Sequence, residues 1–136
     1  MNSLMKALLF GRRASNAGVH NTTLEAGELA INVVRASSQS IVTVTGRVTV
    51  NSSPHLRSVL LELLRRGAQP VVVIDLLAVS YLDMSGLATL LEALKAARAR
   101  SVTLRVMGMT GQSRMLAEIA ELDKVFQSVG SEVEFR

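Results

Sequence analysis

From residue 29 onward, apolar and polar positions fall into a regular succession of periods. Leu29, Ile31 and Val33 alternate with Ala30, Asn32 and Val34, and a polar turn follows at Ser37, Ser38, Gln39 and Ser40. Val42, Val44, Val48 and Val50 then alternate with Thr43, Thr45, Arg47 and Thr49. Period two with β-branched residues predicts two strands, and the short turn between them predicts a hairpin. The period then changes. Leu56, Val59, Leu60 and Leu63 recur at helical spacing, with Ser53 as a capping residue, Pro54 at the first helical position and Gly67 as a stop. Val71 to Ile74 is an unbroken apolar run, the pattern of a central strand covered on both faces.

The strand from Val71 to Leu76 is expected to run into a short loop that ends at Asp83-Met84-Ser85-Gly86. A helix begins there, with Leu87, Leu90, Leu91 and Leu94 on one face and Glu92, Lys95 and Arg98 elsewhere. A fourth strand is expected from Val102 to Met107. A third helix, capped at or near Ser113, would bury Met115, Leu116, Ile119 and Leu122. Val133 and Phe135 alternate with Glu132 and Glu134, which fits a short edge strand. The order is therefore β-β-α-β-α-β-α with a weak last element. Strand–helix–strand units imply right-handed crossovers and a mostly parallel sheet, which the opening hairpin makes mixed.

Residues 1–27 read as an extension to a domain spanning residues 28–136. The extension reads either as a flexible tail or as a short amphipathic helix in which Leu4, Met5, Leu8 and Leu9 form an apolar face beside Lys6, Arg12 and Arg13. Gly11, Ser15, Asn16, Gly18, Asn21, Thr22 and Thr23 read as linker. Met1 to Arg13 lacks the long apolar core of a secretory leader.

Composition narrows the classes. Apolar residues make up 49% of the chain, enough for a core, and aromatic residues only 3%, so that core is aliphatic. Scarce rings argue against binding single strands by stacking. The net charge of +4 comes with no basic stripe or reader motif, so direct nucleic-acid binding is not expected. There is no cysteine, which excludes disulfides and thiolate chemistry and fits a cytoplasmic protein. His20 and His55 form no metal pattern. No nucleophile elbow, phosphate loop or dinucleotide fingerprint is present, so neither cofactor nor enzymatic activity is expected.

The turn at 83–86 carries the one constellation with a chemical direction. It puts a hydroxyl, Ser85, at a helix start, where unpaired N–H groups and the helix dipole favour negative charge. Such a position suits a capping residue, a phosphorylation site or a docking point. Asp83 is the competing cap, Gly86 relieves crowding, and Met84 is either an apolar contact or a gap filler.

The stretch from Val71 to Leu94, and above all Asp83-Met84-Ser85-Gly86-Leu87, resembles the signature of the STAS domain, the fold of bacterial anti-sigma factor antagonists. The resemblance covers residues 28 to 127. It implies an α/β fold with a mixed, mostly parallel four- to five-stranded sheet and helices packed mainly on one face. It further implies a non-enzymatic switch protein that binds an anti-sigma factor with an ATP-binding kinase fold and so releases a sigma factor. In that family the residue after the aspartate is the phosphorylated one. Here that residue is Met84, and Ser85, one place later, is the candidate phosphorylation site. The resemblance places the docking surface at Ser52, Ser53, Asp83, Met84, Ser85, Gly86 and Leu87, with Asp75 in a supporting loop. The alternative it leaves open is a cytoplasmic STAS subunit of a lipid-type ABC transporter, with the transporter ATPase as partner, or a signalling scaffold. Weak self-association is compatible with either.

Overall fold

The computed structural model describes residues 20–67, 69–128 and 130–135. Its ten elements run β1 His20–Ala26, β2 Leu29–Arg35, β3 Gln39–Val48, α1 Ser53–Arg66, β4 Val71–Leu82, α2 Met84–Ala99, β5 Thr103–Met109, α3 Gly111–Ile119, α4 Leu122–Gln127 and β6 Glu132–Phe135. The strands form one six-stranded sheet in sequence order. The pairs β1–β2 and β2–β3 are antiparallel, and β3–β4, β4–β5 and β5–β6 are parallel.

The α/β class, the opening hairpin and the mixed sheet match expectation. The sixth strand is the addition. Residues 20–26, expected to be extension and linker, pair along their whole length with β2 and reach it through a two-residue turn at Gly27 and Glu28. An edge strand can be held by backbone hydrogen bonds alone, so it needs little of the apolar alternation that marks an inner strand. The amphipathic segment expected near the N-terminus lies outside the described residues.

One contiguous core contains Leu29, Ile31 and Val33 of β2, Val42, Val44 and Val48 of β3, and Val72, Ile74 and Leu76 of β4. Val79 and Leu82 of β4 and Leu104, Val106 and Met109 of β5 complete its sheet side. Helices supply the opposite wall: Leu56, Val59, Leu60, Leu63 and Leu64 from α1, and Leu87, Leu90, Ala93, Leu94 and Ala97 from α2. Ala117, Leu122 and Phe126 join the same cluster, so α3 and α4 belong to it too. Among the described residues the helices therefore lie against one face of the sheet.

β4 continues six residues past its expected end at Leu76, through the stretch expected to be loop. Its register against β3 slips twice: Thr43 pairs with Asp75 but Thr45 with Ala78, and Gly46 pairs with Val79 but Arg47 with Tyr81. Each slip adds one residue to β4, and a bulge of this kind inverts which face the following side chains meet. The positions facing the core accordingly run Val72, Ile74, Leu76, then Val79, then Leu82. Asp75 closes the first bulge by accepting the Leu77 N–H at 2.9 Å. Gly108 of β5 lies against the same bulge at φ +81°, where a Cβ would fall 2.6 Å from the Leu77 nitrogen.

The expected third helix is two helices. Glu121, in the left-handed region at φ 53°, breaks it, and Leu122 is buried from the first position of α4. Met115 and Ile119, expected in the core, are exposed, and α3 buries Ser113 and Ala117 instead. Ser113 is not the cap either. Thr110 holds that position, and the Ser113 hydroxyl donates to the Thr110 carbonyl at 3.0 Å. No helix among the described residues is long and apolar enough to cross a membrane.

Candidate functional site

Three segments meet where β4 ends and α2 begins. The Asp83 N–H donates to the Val48 carbonyl at 3.0 Å, continuing the β3–β4 ladder by one rung. On the other side, Gln112 of α3 stands in for a strand. Its amide nitrogen donates to the Leu82 carbonyl at 2.7 Å, and its amide oxygen accepts the Leu82 N–H at 2.9 Å. The junction is thus held from β3 on one flank and from α3 on the other.

Asp83 is the N-cap of α2, with an extended backbone at φ −99° and ψ −173°. Its Oδ1 accepts the N–H groups of Ser85 at 2.9 Å and Gly86 at 3.2 Å, two of the donors that a helix start leaves unpaired. The Ser85 hydroxyl donates to the same oxygen. Oδ2 reaches across to the turn after β3 and accepts the Val50 N–H at 3.0 Å. Partial burial works against the charge. The Ser85 hydroxyl and the Gly86, Ser85 and Val50 N–H groups outweigh it and hold the carboxyl below its ordinary range.

The β3–α1 turn is organised by Ser52. Its hydroxyl accepts the Thr49 N–H at 2.9 Å and donates to the Arg47 carbonyl at 2.8 Å. The helix begins at Ser53, with Ser52 as its N-cap residue but without a side-chain cap. Both serines are buried, so they shape this turn from within and Val50 and Asn51 form its surface. Beside it opens a recess of about 410 Å³ lined by Gly27, Glu28, Asn51 and Ser52. Arg47 stacks over the Tyr81 ring with its guanidinium carbon 4.7 Å from the centroid and lies 3.7 Å from Glu28.

The residues singled out from sequence separate into groups. Asp83, Met84, Ser85 and Gly86 sit together at the junction, as expected. Gly86 is buried where a Cβ would lie 2.8 Å from Val48 Cγ1 and 2.9 Å from Leu82 Cγ, so its smallness lets α2 start against both strands. Leu87 is 2% exposed and belongs to the core. Asp75 lies not in a loop but within β4, eight residues before Asp83, which is about 25 Å of extended strand. Its carboxylate serves the bulge.

The junction shows large apolar side chains to solvent beside polar ones. Met84, next to Asp83 in the chain, is 64% exposed, and Val50, whose N–H the Asp83 carboxylate accepts, is 68% exposed. Ala88 and Leu91 extend the exposed line along α2 at positions i+4 and i+7 from Met84. Ser85 is half-buried with its hydroxyl turned into the cap. Sequence reasoning missed Val50 and Gln112. Val50 reads as one more alternating strand residue, and nothing local announces that a glutamine on α3 pairs with a backbone thirty residues away. Among the described residues no group of three His, Cys, Asp or Glu side chains is placed to hold a metal ion.

A family model described as the STAS domain matches residues 30–135. The chain belongs to the STAS domain family, and its architecture is the α/β fold of SpoIIAA. An anti-sigma factor antagonist from Mycobacterium paratuberculosis is similar at 25% identity and a TM-score of 0.67, covering 76% of this chain and 87% of that one. The phosphorylated form of the Bacillus cell fate determinant SpoIIAA is similar at 10% identity and a TM-score of 0.58, covering 86% and 91%. An anti-sigma factor antagonist assigned in Thermotoga maritima superposes with a TM-score of 0.57 at 11% identity, covering 69% and 78%.

Proposed function

We propose that this chain is an anti-sigma factor antagonist. It docks an anti-sigma factor of ATP-binding kinase fold on the surface formed by Val50, Asn51, Asp83, Met84 and the exposed line of α2. The observation that carries the reading is the exposure of Met84 and Val50 at a turn whose Asp83 carboxylate is already satisfied by four hydrogen-bond donors. Methionine is enriched in protein interfaces, whose buried centre is apolar and whose rim is polar. The likeness to the mycobacterial antagonist supports the choice of partner. The chain works without chemistry of its own: it supplies a surface, and any phosphoryl transfer is the partner's.

Regulation falls to Ser85, the hydroxyl that adjoins the patch. A phosphate there carries about −1.5 to −2 charge at neutral pH. It replaces the hydroxyl that donates to Asp83 and sets two anionic groups side by side at the start of α2. Modification therefore disrupts the cap and charges the docking surface together, which releases the partner.

The test is affinity capture of the chain from its native cells, identification of the bound protein, and titration of that protein against Met84→Asp. Recovery of a kinase-fold anti-sigma factor whose affinity drops at least tenfold, a loss of about 1.4 kcal/mol, is the expected result. An unchanged affinity removes Met84 from the interface and overturns the reading. Recovery of an ABC ATPase with its permease replaces it with the transport subunit.

A further inference from the structure

The fold gathers at one end of the molecule basic residues that lie scattered in the sequence. Arg35 closes β2, and its register partner is Ser40, whose hydroxyl donates to the Gln69 side chain just past α1 at 2.7 Å. Arg65 and Arg66 end α1, and Arg98 stands in the last turn of α2. The Arg100 guanidinium donates to the Arg65 carbonyl, which joins the two helix ends. Arg35, the last two turns of both helices and the loops 36–38, 67–70 and 100–102 together hold six basic residues, Lys95 being the sixth, against one carboxylate, Glu62. Glu62 pairs with Arg65. The local excess of five positive charges is larger than the +4 of the whole chain.

Cations in the last turn of a helix complement its dipole, which accounts for Arg65, Arg66 and Arg98. Arg35 has no such reason to be here. It comes from a strand and is half-buried; burial, and then the nearby Arg66 guanidinium, hold it below the usual arginine range. Like charges brought together in this way favour an anion beside them. The intervening loops are short and carry small residues such as Ser37, Ser38, Gly67 and Ser101, so the arginines are the longest side chains at this end and can meet a flat surface together. Between α1 and α2 opens a recess of about 280 Å³, lined by Leu61, Ala96 and Ala99 and flanked by Arg65 and Arg100. Guanidiniums around an aliphatic recess complement a surface that offers both phosphate and hydrocarbon. Among the described residues no exposed aromatic ring stands at this end for a base to stack on, and no helix or ribbon projects from it to enter a groove.

We propose that this end docks on an anionic phospholipid surface, with Arg35, Arg65, Arg66, Arg98 and Arg100 meeting the headgroup phosphates. β4 starts at this end, at Val71, and finishes at Leu82 beside the cap of α2, so the β4–α2 junction lies at the opposite end of the sheet, clear of lipid. The two surfaces can be occupied at once.

The test is co-sedimentation of the full-length chain with phosphatidylserine-rich vesicles and with pure phosphatidylcholine vesicles. The expected result is binding to the first and not to the second, lost at high salt, where the Debye length shrinks to about 3 Å. Each arginine at the surface contributes about fivefold, so Arg98→Gln with Arg100→Gln weakens binding by at least about tenfold. Arg47→Gln with Arg57→Gln makes the same change in net charge near the opposite end and leaves binding within about a factor of two, because charges beyond a Debye length are screened. Melting curves show whether each variant is folded. Arg98→Gln alone, which removes no described hydrogen bond, carries the test at about fivefold if Arg100→Gln loosens the helix ends. Failure to bind phosphatidylserine overturns the proposal, and so does an equal loss in both double variants, which assigns the effect to net charge or to other basic residues. Tighter binding to a DNA duplex at the same ionic strength assigns this end to nucleic acid and overturns it too.

Discussion

The carboxylate of Asp83 and the backbone of Val50 are joined across two loops: Oδ2 accepts the Val50 N–H at 3.0 Å while Oδ1 caps α2. One side chain thereby fixes the start of a helix and the position of the exposed apolar residue opposite it.

Asp83→Asn and Asp83→Ala separate these roles. Asparagine keeps an oxygen for the Ser85 and Gly86 N–H groups but turns an NH₂ toward Val50. Alanine loses both ends. Loss of an N-cap costs about 0.5–2 kcal/mol, and a further hydrogen bond about 0.5–1.5 kcal/mol. Urea unfolding should rank the proteins wild type, then Asn, then Ala. Equal stability of Asn and wild type would show that the bond to Val50 contributes nothing.

The same group sets a pH dependence. Asp83 is held below its ordinary value of 3.8, with burial opposing and the hydrogen bonds from Ser85, Gly86 and Val50 prevailing. A carboxylate lowered in the folded state binds fewer protons there than in the unfolded chain. Its stabilisation is therefore complete above the ordinary value and lost as pH falls through the folded value. The stability gap between wild type and Asp83→Asn should be constant near neutrality and close below about pH 4. A gap that persists unchanged into that range contradicts the assignment.

Gly86→Ala sets helix propensity against space. Alanine favours a helix interior by about 1 kcal/mol over glycine. Here the added Cβ meets Val48 and Leu82 at under 3 Å, and overpacking costs about 1–3 kcal/mol. The net expectation is a lower melting temperature and, because α2 must shift outward, a changed presentation of Met84. A more stable Gly86→Ala would mean that the junction yields freely.

Gln112 should behave as part of the sheet rather than as a surface residue. Gln112→Ala leaves the Leu82 N–H and carbonyl without their partner, at about 1–3 kcal/mol if no water replaces it. Gln112→Glu restores the acceptor but not the donor and sets a carboxylate against a carbonyl, so it should rescue little. Amide exchange at Leu82 reads both variants directly.

Ser85→Asp is a poor imitation of phosphorylation in this setting. It removes the hydroxyl that donates to Asp83 and places a second carboxylate beside it, so it should lower stability as well as binding. Ser85→Ala isolates the loss of the hydroxyl.

Most of the inner architecture is legible in the sequence because burial there follows a simple period. Leu29, Ile31 and Val33 alternate, and Leu56, Val59, Leu60 and Leu63 recur at helical spacing, and each set lies in the core. Reading fails where the period is broken or absent. Leu76, Val79 and Leu82 are three residues apart, which breaks the period-two alternation of a strand, so the second half of β4 looks like loop. The apolar pair Met115 and Ile119 has helical spacing but faces water. At the junction, the motif names Asp83, Ser85 and Gly86 correctly as neighbours. It cannot tell that Leu87, Ser52 and Ser53 are buried, or that Val50 takes the exposed place, because those outcomes depend on β3 ending beside β4.

The two extra residues in β4 make its length a matter of phase. One inversion of facing is undone by the other, and only because both are present does Leu82 point inward and Asp83 emerge where α2 can start. Losing or gaining a single residue between Asp75 and Leu82 would rotate everything downstream by half a turn of the strand, turning Leu82 toward water and carrying the cap away from Val50. Removing two would leave the facing intact and merely shorten the arm. This stretch should therefore accept many changes of letter but only even changes of count.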